Sequence, residues 1–231
     1  MGLLSGSTGP VQALYLLDPG YAAWDKFMLA IVDYSMGNLR SVQKAFELLG
    51  VEAKIIQSAA DIRRADKLIL PGVGAFADAI AILESSGQAD AIKDFINTQR
   101  PMLGICLGMQ LLMEKGYEDG EHVGLGIVPG DCIRFTVDQP PANLKVPHMG
   151  WNSVHPQGRC PLLKDVAPGT HYYFVHSYFV RPKNARQIAA TSDYGGEFTA
   201  AICKDNVMAV QFHPEKSQTA GRVILKNFAA L

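Results

Sequence analysis

Pro101-Met102-Leu103-Gly104-Ile105-Cys106-Leu107-Gly108-Met109-Gln110 is the stretch on which the fold turns. An apolar run after a proline reads as a buried strand, and the glycines on either side of Cys106 read as a tight turn. A strand that feeds such a turn into a helix lifts one side chain to the sheet edge, where there is no room for a neighbouring Cβ. The periodicity after the turn predicts a helix over Leu107–Lys115. Its unpaired N–H groups would point at the sulfur, favour negative charge there, and offer the N–H of Leu107 to an oxyanion. Taken alone, the same residues also fit a buried cysteine at a helix start.

Two further segments bear on Cys106. Gln211-Phe212-His213-Pro214-Glu215-Lys216-Ser217 follows the apolar run Val207-Met208-Ala209-Val210. In extended backbone, residues i and i+2 point the same way, and a residue before proline is held extended. His213 and Glu215 are therefore candidates for a general base and the carboxylate that orients it. Pro71-Gly72-Val73-Gly74 follows the apolar run Leu68-Ile69-Leu70. Its glycines let peptide units rotate, so Gly72, Val73 and Gly74 can turn an N–H toward an oxyanion. Alone, it is equally an ordinary strand-to-helix loop. No Lys-Ser/Thr pair follows, as a Walker loop needs, so a phosphate cradle is the weaker reading.

Around these segments strands alternate with helices. Strand patterns at Met28–Val32, Ala53–Ile56 and Lys67–Leu70 are interleaved with a helix after Asn38, which Gly50 stops, and with helical patterns at Ala75–Leu83 and Ala89–Ile96. Asn38 is placed to cap the first helix. Repeated βα units imply a parallel sheet covered on both faces. The second half is richer in short strands (Tyr172–Val175, Gln187–Thr191, Thr199–Cys203, Val207–Gln211) and ends in an amphipathic helix through Ile224 and Phe228. One domain from Met28 to Leu231 with a mixed sheet is expected. Residues 1–27 lack a basic n-region and read as an N-terminal extension outside that domain, disordered or the product of a misassigned start.

Composition narrows the function. The 231 residues are 48% hydrophobic and 19% charged, with a net charge of −1, which suits a globular enzyme and argues against a nucleic-acid binder. Cys106, Cys132, Cys160 and Cys203 form no C-x-x-C pair, so neither a zinc site nor a disulfide scaffold is indicated. No apolar run reaches membrane-spanning length. His122, His155 and His171 join no constellation and read as surface residues; His176 is open between a core histidine, a pocket wall and neither.

The three segments together resemble the class I, or triad, glutamine amidotransferases. The likeness runs from about Met28 to the C-terminus. Ile31-Val32-Asp33-Tyr34-Ser35-Met36-Gly37-Asn38, Pro147-His148-Met149-Gly150-Trp151-Asn152 and Tyr173-Phe174-Val175-His176-Ser177-Tyr178 narrow it to the glutaminase subunits that serve imidazole glycerol phosphate synthase. Ser35 stands where that family often has glycine. The resemblance implies an α/β, flavodoxin-like three-layer fold with a mixed, largely parallel central sheet. It implies a Cys106–His213–Glu215 triad, an oxyanion hole from Leu107 and Gly72, Val73 and Gly74, and glutamine contacts from Gly74, Gln110, Ser177 and Tyr178. It further implies a cytoplasmic enzyme with no cofactor and no metal. Its partner would be a separate (βα)8-barrel cyclase subunit, faced by Asn38, Arg40, His148 and Trp151. The cyclase would use the ammonia to make imidazole glycerol phosphate and aminoimidazole carboxamide ribotide in histidine biosynthesis. Rival readings are another class I glutaminase, a free-standing γ-glutamyl hydrolase, and a non-catalytic module that kept the fold.

Overall fold

The computed structural model describes residues 28–140 and 142–231; the extension expected over 1–27 lies outside the described residues. The first half alternates β1 (Leu29–Val32), α1 (Leu39–Glu47), β2 (Ala53–Ile56), α2 (Ala59–Arg64), β3 (Lys67–Gly72), α3 (Phe76–Ser85), α4 (Gln88–Asn97) and β4 (Met102–Cys106). A single turn, α5 (Leu107–Gln110), follows, then β5 (Met113–Gly116), β6 (His122–Val123), β7 (Val128–Arg134), β8 (His148–Pro156), β9 (Thr170–His176) and β10 (Tyr178–Pro182). The chain ends with β11 (Ile188–Asp193), β12 (Glu197–Lys204), β13 (Val207–Val210) and α6 (Gln218–Ala229).

One nine-stranded sheet has the order β2-β1-β3-β4-β13-β12-β11-β8-β9. Pairings from β2 across to β13 are parallel, and those from β13 to β9 are antiparallel. In the parallel half both faces are covered, as its unbroken apolar strands require. Ala30, Val32, Leu68 and Leu70 join the core with Phe76, Ile92 and Phe95 of α3 and α4. Leu29, Ile31, Ile69 and Leu103 join the opposite core with Phe46 of α1 and Ile224, Leu225 and Phe228 of α6. The alternation of strand side chains thus makes three layers. Each of the fully buried phenylalanines contributes about 1.5–3 kcal/mol.

Four features differ from expectation. A second, four-stranded sheet, β10-β7-β5-β6, packs into the α3–α4 core. Helix α2 is present, capped by the Ser58 hydroxyl, which accepts the Asp61 N–H at 3.0 Å. Asn38 occupies the N-cap position of α1, but its side chain makes no capping bond. The helix expected over Leu107–Lys115 stops at Gln110. The carbonyls of Leu111 and Leu112 accept the N–H groups of Leu125 (2.8 Å) and Ile127 (2.9 Å), and Met113 pairs with Val128. Tertiary pairing overrides helix propensity there.

Candidate active site

Strand β4 lies between β3 and β13, with Cys106 opposite Gly72 and Ile105 opposite Val210. Cys106 ends the strand at φ 55°, ψ −111°, a conformation that costs a non-glycine residue about 1–3 kcal/mol. Its glycines are there for space. A Cβ on Gly108 would stand 1.8 Å from the Leu70 carbonyl oxygen, and one on Gly104 would stand 3.0 Å from both the Ala209 Cβ and the Gly108 oxygen. Because α5 is one turn long, its effect at the sulfur is that of the few unpaired N–H groups of that turn.

Strand β13 runs parallel beside β4, so the chain beyond it leaves the sheet next to Cys106. The His213 backbone is held on both sides: its N–H donates to the Tyr173 carbonyl at 2.9 Å, and its carbonyl accepts the Ser217 hydroxyl at 2.6 Å. Residues Pro214–Lys216 form a 3-10 turn rather than extended backbone. Glu215 therefore meets His213 by folding back, not by sharing a strand face. Gly221 of α6 permits that turn, since a Cβ there would lie 1.8 Å from the Pro214 oxygen. His213 Nδ1 and Glu215 Oε1 are 2.7 Å apart, with side chains only 3% and 2% exposed. An ionised carboxylate only accepts, so Nδ1 carries the hydrogen and Nε2 faces away from Glu215.

Burial by itself would lower the His213 pKa. Hydrogen bonding and charge from the Cys106 sulfur, and then from Glu215, outweigh burial and hold it at about 9. Nε2 is buried and makes no other hydrogen bond, and the Cys106 sulfur is a group that acts on the ring.

Cys106 opens onto a cavity of about 370 Å³. Of the residues expected there, Val73, Gly74, Leu107, Gln110, Ser177 and Tyr178 line it. Gly72 sits buried at the end of β3, where a Cβ would stand 2.2 Å from the Tyr34 hydroxyl. Tyr34 donates to the Pro71 carbonyl at 2.9 Å; burial, with the charge of Cys106, drives its pKa up. Gln110 spends its amide N–H groups on the Tyr178 carbonyl (3.0 Å) and on Gln211 Oε1 (3.1 Å). Gln211 Nε2 in turn donates to the Cys106 sulfur at 3.7 Å.

Glu118, Pro147 and Val175, which the sequence reading did not assign to the site, also line the cavity, and so does His176, for which a place in the pocket wall was one of the open readings. The Glu118 carboxylate accepts the Phe76 N–H at 2.7 Å and so is fixed at the start of α3. No pattern in its glycine-rich surroundings marks Glu118. Gln211 was nearer to hand, two residues before His213 on the same strand end.

A match to the family described as "Glutamine amidotransferase class-I" spans residues 30–230. The chain belongs to the class I glutamine amidotransferases. Within them it belongs with proteins named "Imidazole glycerol phosphate synthase subunit HisH". It is 54% identical to that of Rhodopirellula baltica over 202 residues, covering 87% of this chain and 97% of the relative. It is 51% identical to that of Syntrophotalea carbinolica over 203 residues, covering 87% and 98%. It is 49% identical to that of Geobacter sulfurreducens over 205 residues, covering 88% and 98%. Among solved structures, one titled "Structure of PurLQS from Thermotoga maritima" superposes with a TM-score of 0.71 at 15% identity, over 88% of this chain and 97% of that one. Another, titled "Crystal structure of glutamine amidotransferase", has a TM-score of 0.67 at 18% identity, over 87% and 97%. At those identities the likeness is one of fold.

In this amidotransferase the residues expected to face a partner divide. Asn38 and Arg40 are exposed, Arg40 donating to Gln43 Oε1 at 2.7 Å. Trp151 is 47% exposed, beside Met149 at 64%. His148 is not on the surface: the segment is strand β8, not a loop, and His148 is 4% exposed among Phe174, Tyr194 and His176. Cys106, Cys132, Cys160 and Cys203 are free thiols. Among the described residues no group of three or more His, Cys, Asp or Glu could hold a metal ion, and no helix is long and apolar enough to cross a membrane.

Proposed function

We propose that this chain is the glutaminase subunit of imidazole glycerol phosphate synthase, with Cys106 as nucleophile, His213 as acid and base, and Glu215 as orienter. The observation that carries the reading is the 2.7 Å Nδ1–Oε1 bond, which fixes the tautomer and presents Nε2 of His213 to the sulfur that acts on its pKa.

Cys106 attacks the side-chain amide carbon of glutamine as a thiolate. Charge on the carbonyl oxygen is met by the Leu107 N–H and by the Gly72–Gly74 segment, where Gly74 has φ 103°. His213, protonated at neutral pH, gives its proton to nitrogen as the carbon–nitrogen bond breaks. Ammonia departs and a γ-glutamyl thioester remains. His213 then takes a proton from water, whose oxygen attacks the thioester. Glutamate leaves and the sulfur is regenerated. Ser177, Tyr178 and Gln110 shape the substrate cavity, and Glu118 supplies a carboxylate suited to an amino acid's ammonium group. Ammonia passes to a separate cyclase subunit with a (βα)8-barrel fold, which makes imidazole glycerol phosphate and aminoimidazole carboxamide ribotide in histidine biosynthesis. Asn38, Arg40 and Trp151 are available on the surface to face it. A reaction that runs on a reduced thiol fits the cytoplasm.

The test is glutamate release from glutamine by the chain alone and with the cyclase and its nucleotide ligand. Low activity alone and high activity in the complex are expected. Full glutaminase activity without any partner, or turnover of γ-glutamyl peptides in preference to glutamine, rejects the assignment.

A further inference from the structure

Two buried histidines have no part in that chemistry. His148 Nδ1 is 3.0 Å from His176 Nε2, and His176 Nδ1 is 2.8 Å from the Tyr178 carbonyl oxygen. Asn152 Nδ2 is 3.2 Å from His148 Nε2 and donates its other hydrogen to the Asp193 carbonyl at 2.7 Å. The two histidines are 4% and 5% exposed. Burial keeps both uncharged, lowering His148 to about 4 and His176 to about 3.

In a neutral pair these contacts leave one arrangement of hydrogens. A carbonyl only accepts, so His176 carries its hydrogen on Nδ1 and its Nε2 is bare. That bare nitrogen needs a donor, so His148 also carries its hydrogen on Nδ1. Its own Nε2 then accepts from Asn152. Every ring nitrogen is used once, and all donors point from Asn152 toward Tyr178. No proton is left to give, so the pair is unsuited to acid–base work. Its geometry suits holding. The His148 ring is clamped between Phe174, with centroids 5.0 Å apart, and Tyr194, at 4.1 Å.

What it holds is a joint. Ser177 alone links β9 of the large sheet to β10 of the small one. The His176 bond to Tyr178 closes that one-residue corner, and the same carbonyl accepts Gln110, whose second partner is Gln211, which donates to the Cys106 sulfur. We propose that His148 and His176 are positioning residues that set the Ser177–Tyr178 corner of the glutamine cavity and, through Gln110, hold Gln211 under the Cys106 sulfur. This rests on reading glutamine as the substrate.

Two measurements test it. Nitrogen-15 NMR of the imidazole rings in the resting chain is expected to show His148 and His176 both as neutral Nδ1–H tautomers at pH 7; an Nε2–H tautomer or a charged ring at either position overturns the proposal. In the complex with the cyclase, His148→Phe keeps an aromatic ring in the clamp and removes the donor. The KM for glutamine is expected to rise about tenfold with kcat changed less than about twofold, as for one lost buried hydrogen bond. His148→Asn, whose amide nitrogen stands where Nδ1 stood, is expected to restore KM to within about threefold of wild type. An unchanged KM in His148→Phe, a loss confined to kcat, or no rescue by asparagine overturns it. If His148→Phe does not fold, the tautomers of the wild-type chain decide. Absence of glutamine turnover in the wild type would defeat the assigned function and leave the NMR result to judge the pair.

Discussion

Replacing Glu215 by glutamine keeps the shape of the side chain and removes its charge. In the native site burial opposes a charged His213, yet the Cys106 sulfur and Glu215 together take it from 6.5 to about 9. That gap, 9 − 6.5, corresponds to between about 3 and 4 kcal/mol at about 1.4 kcal/mol per pH unit. Because burial pulls the other way, the sulfur and the carboxylate together supply more than that gap, and losing the carboxylate lowers His213 by at least about one unit, the usual effect of a neighbouring opposite charge. The assay is kcat/KM for glutamine against pH, measured on the complex. The alkaline limb, where His213 loses its proton, is expected near 9 in the wild type and at least about one unit lower in Glu215→Gln. The rate at the optimum is expected to fall about 10²-fold or more, the usual reach of a positioned acid–base group. Stability follows the same sign. Because the folded pKa of His213 lies above the unfolded one, its stabilising contribution is fully present below pH 6.5 and is lost as pH rises through about 9. Melting curves of wild type and variant are therefore expected to differ most below pH 6.5 and to converge above 9. An alkaline limb that stays put in Glu215→Gln, or a stability difference that grows with pH, would refute the reasoning.

Other outcomes follow from single contacts. Cys106→Ala is expected to abolish glutamate release while leaving cyclase binding, measured by titration calorimetry, within about twofold; residual turnover would remove Cys106 from the role of nucleophile. Gly108→Ala would put a Cβ 1.8 Å from a backbone oxygen of β3, and a stability loss of about 3 kcal/mol or more by denaturant titration is expected, with glutaminase activity lost in parallel. Tyr34→Phe leaves the Pro71 carbonyl without its donor at the root of the Gly72–Gly74 segment. It is expected to cost about 1–3 kcal/mol of stability and to lower kcat more than it raises KM; an unaltered kcat would separate Tyr34 from the oxyanion segment.

The parallel half of the fold was legible because its strands are buried on both faces and its turns are marked by glycine. Cys106 was legible for the same reason. Gly104 and Gly108 are forced by close backbone approach, so a physical need is written as two letters at a fixed spacing. Helix α2 was equally visible in principle, since Ser58-Ala59-Ala60-Asp61 is a capping signature before a short run. The end of α5 was not visible. Leu111, Leu112 and Met113 are all fully buried, so periodicity has no polar face from which to count. What stops the helix is pairing with residues 125–128, and that partner is set by the whole fold.

Strand β8 was hidden for a different reason. In a half-buried strand the apolar residues point inward and the polar ones outward. Over residues 148–151 of β8 the order is reversed: His148 lies inside, while Met149 and Trp151 stand in solvent at 64% and 47% exposure. A reader who follows hydrophobicity will assign the histidine to the surface. An inversion of this kind lowers stability twice, by burying polar nitrogens and by exposing an aromatic ring, and it persists only where both sides have work to do. Inside, the buried nitrogens are all satisfied in a line that ends at the cavity wall. Outside, exposed Met149 and Trp151 form the kind of apolar patch that a partner protein covers. This inverted segment thus joins an exposed apolar face of the sheet to the residues that line the Cys106 cavity.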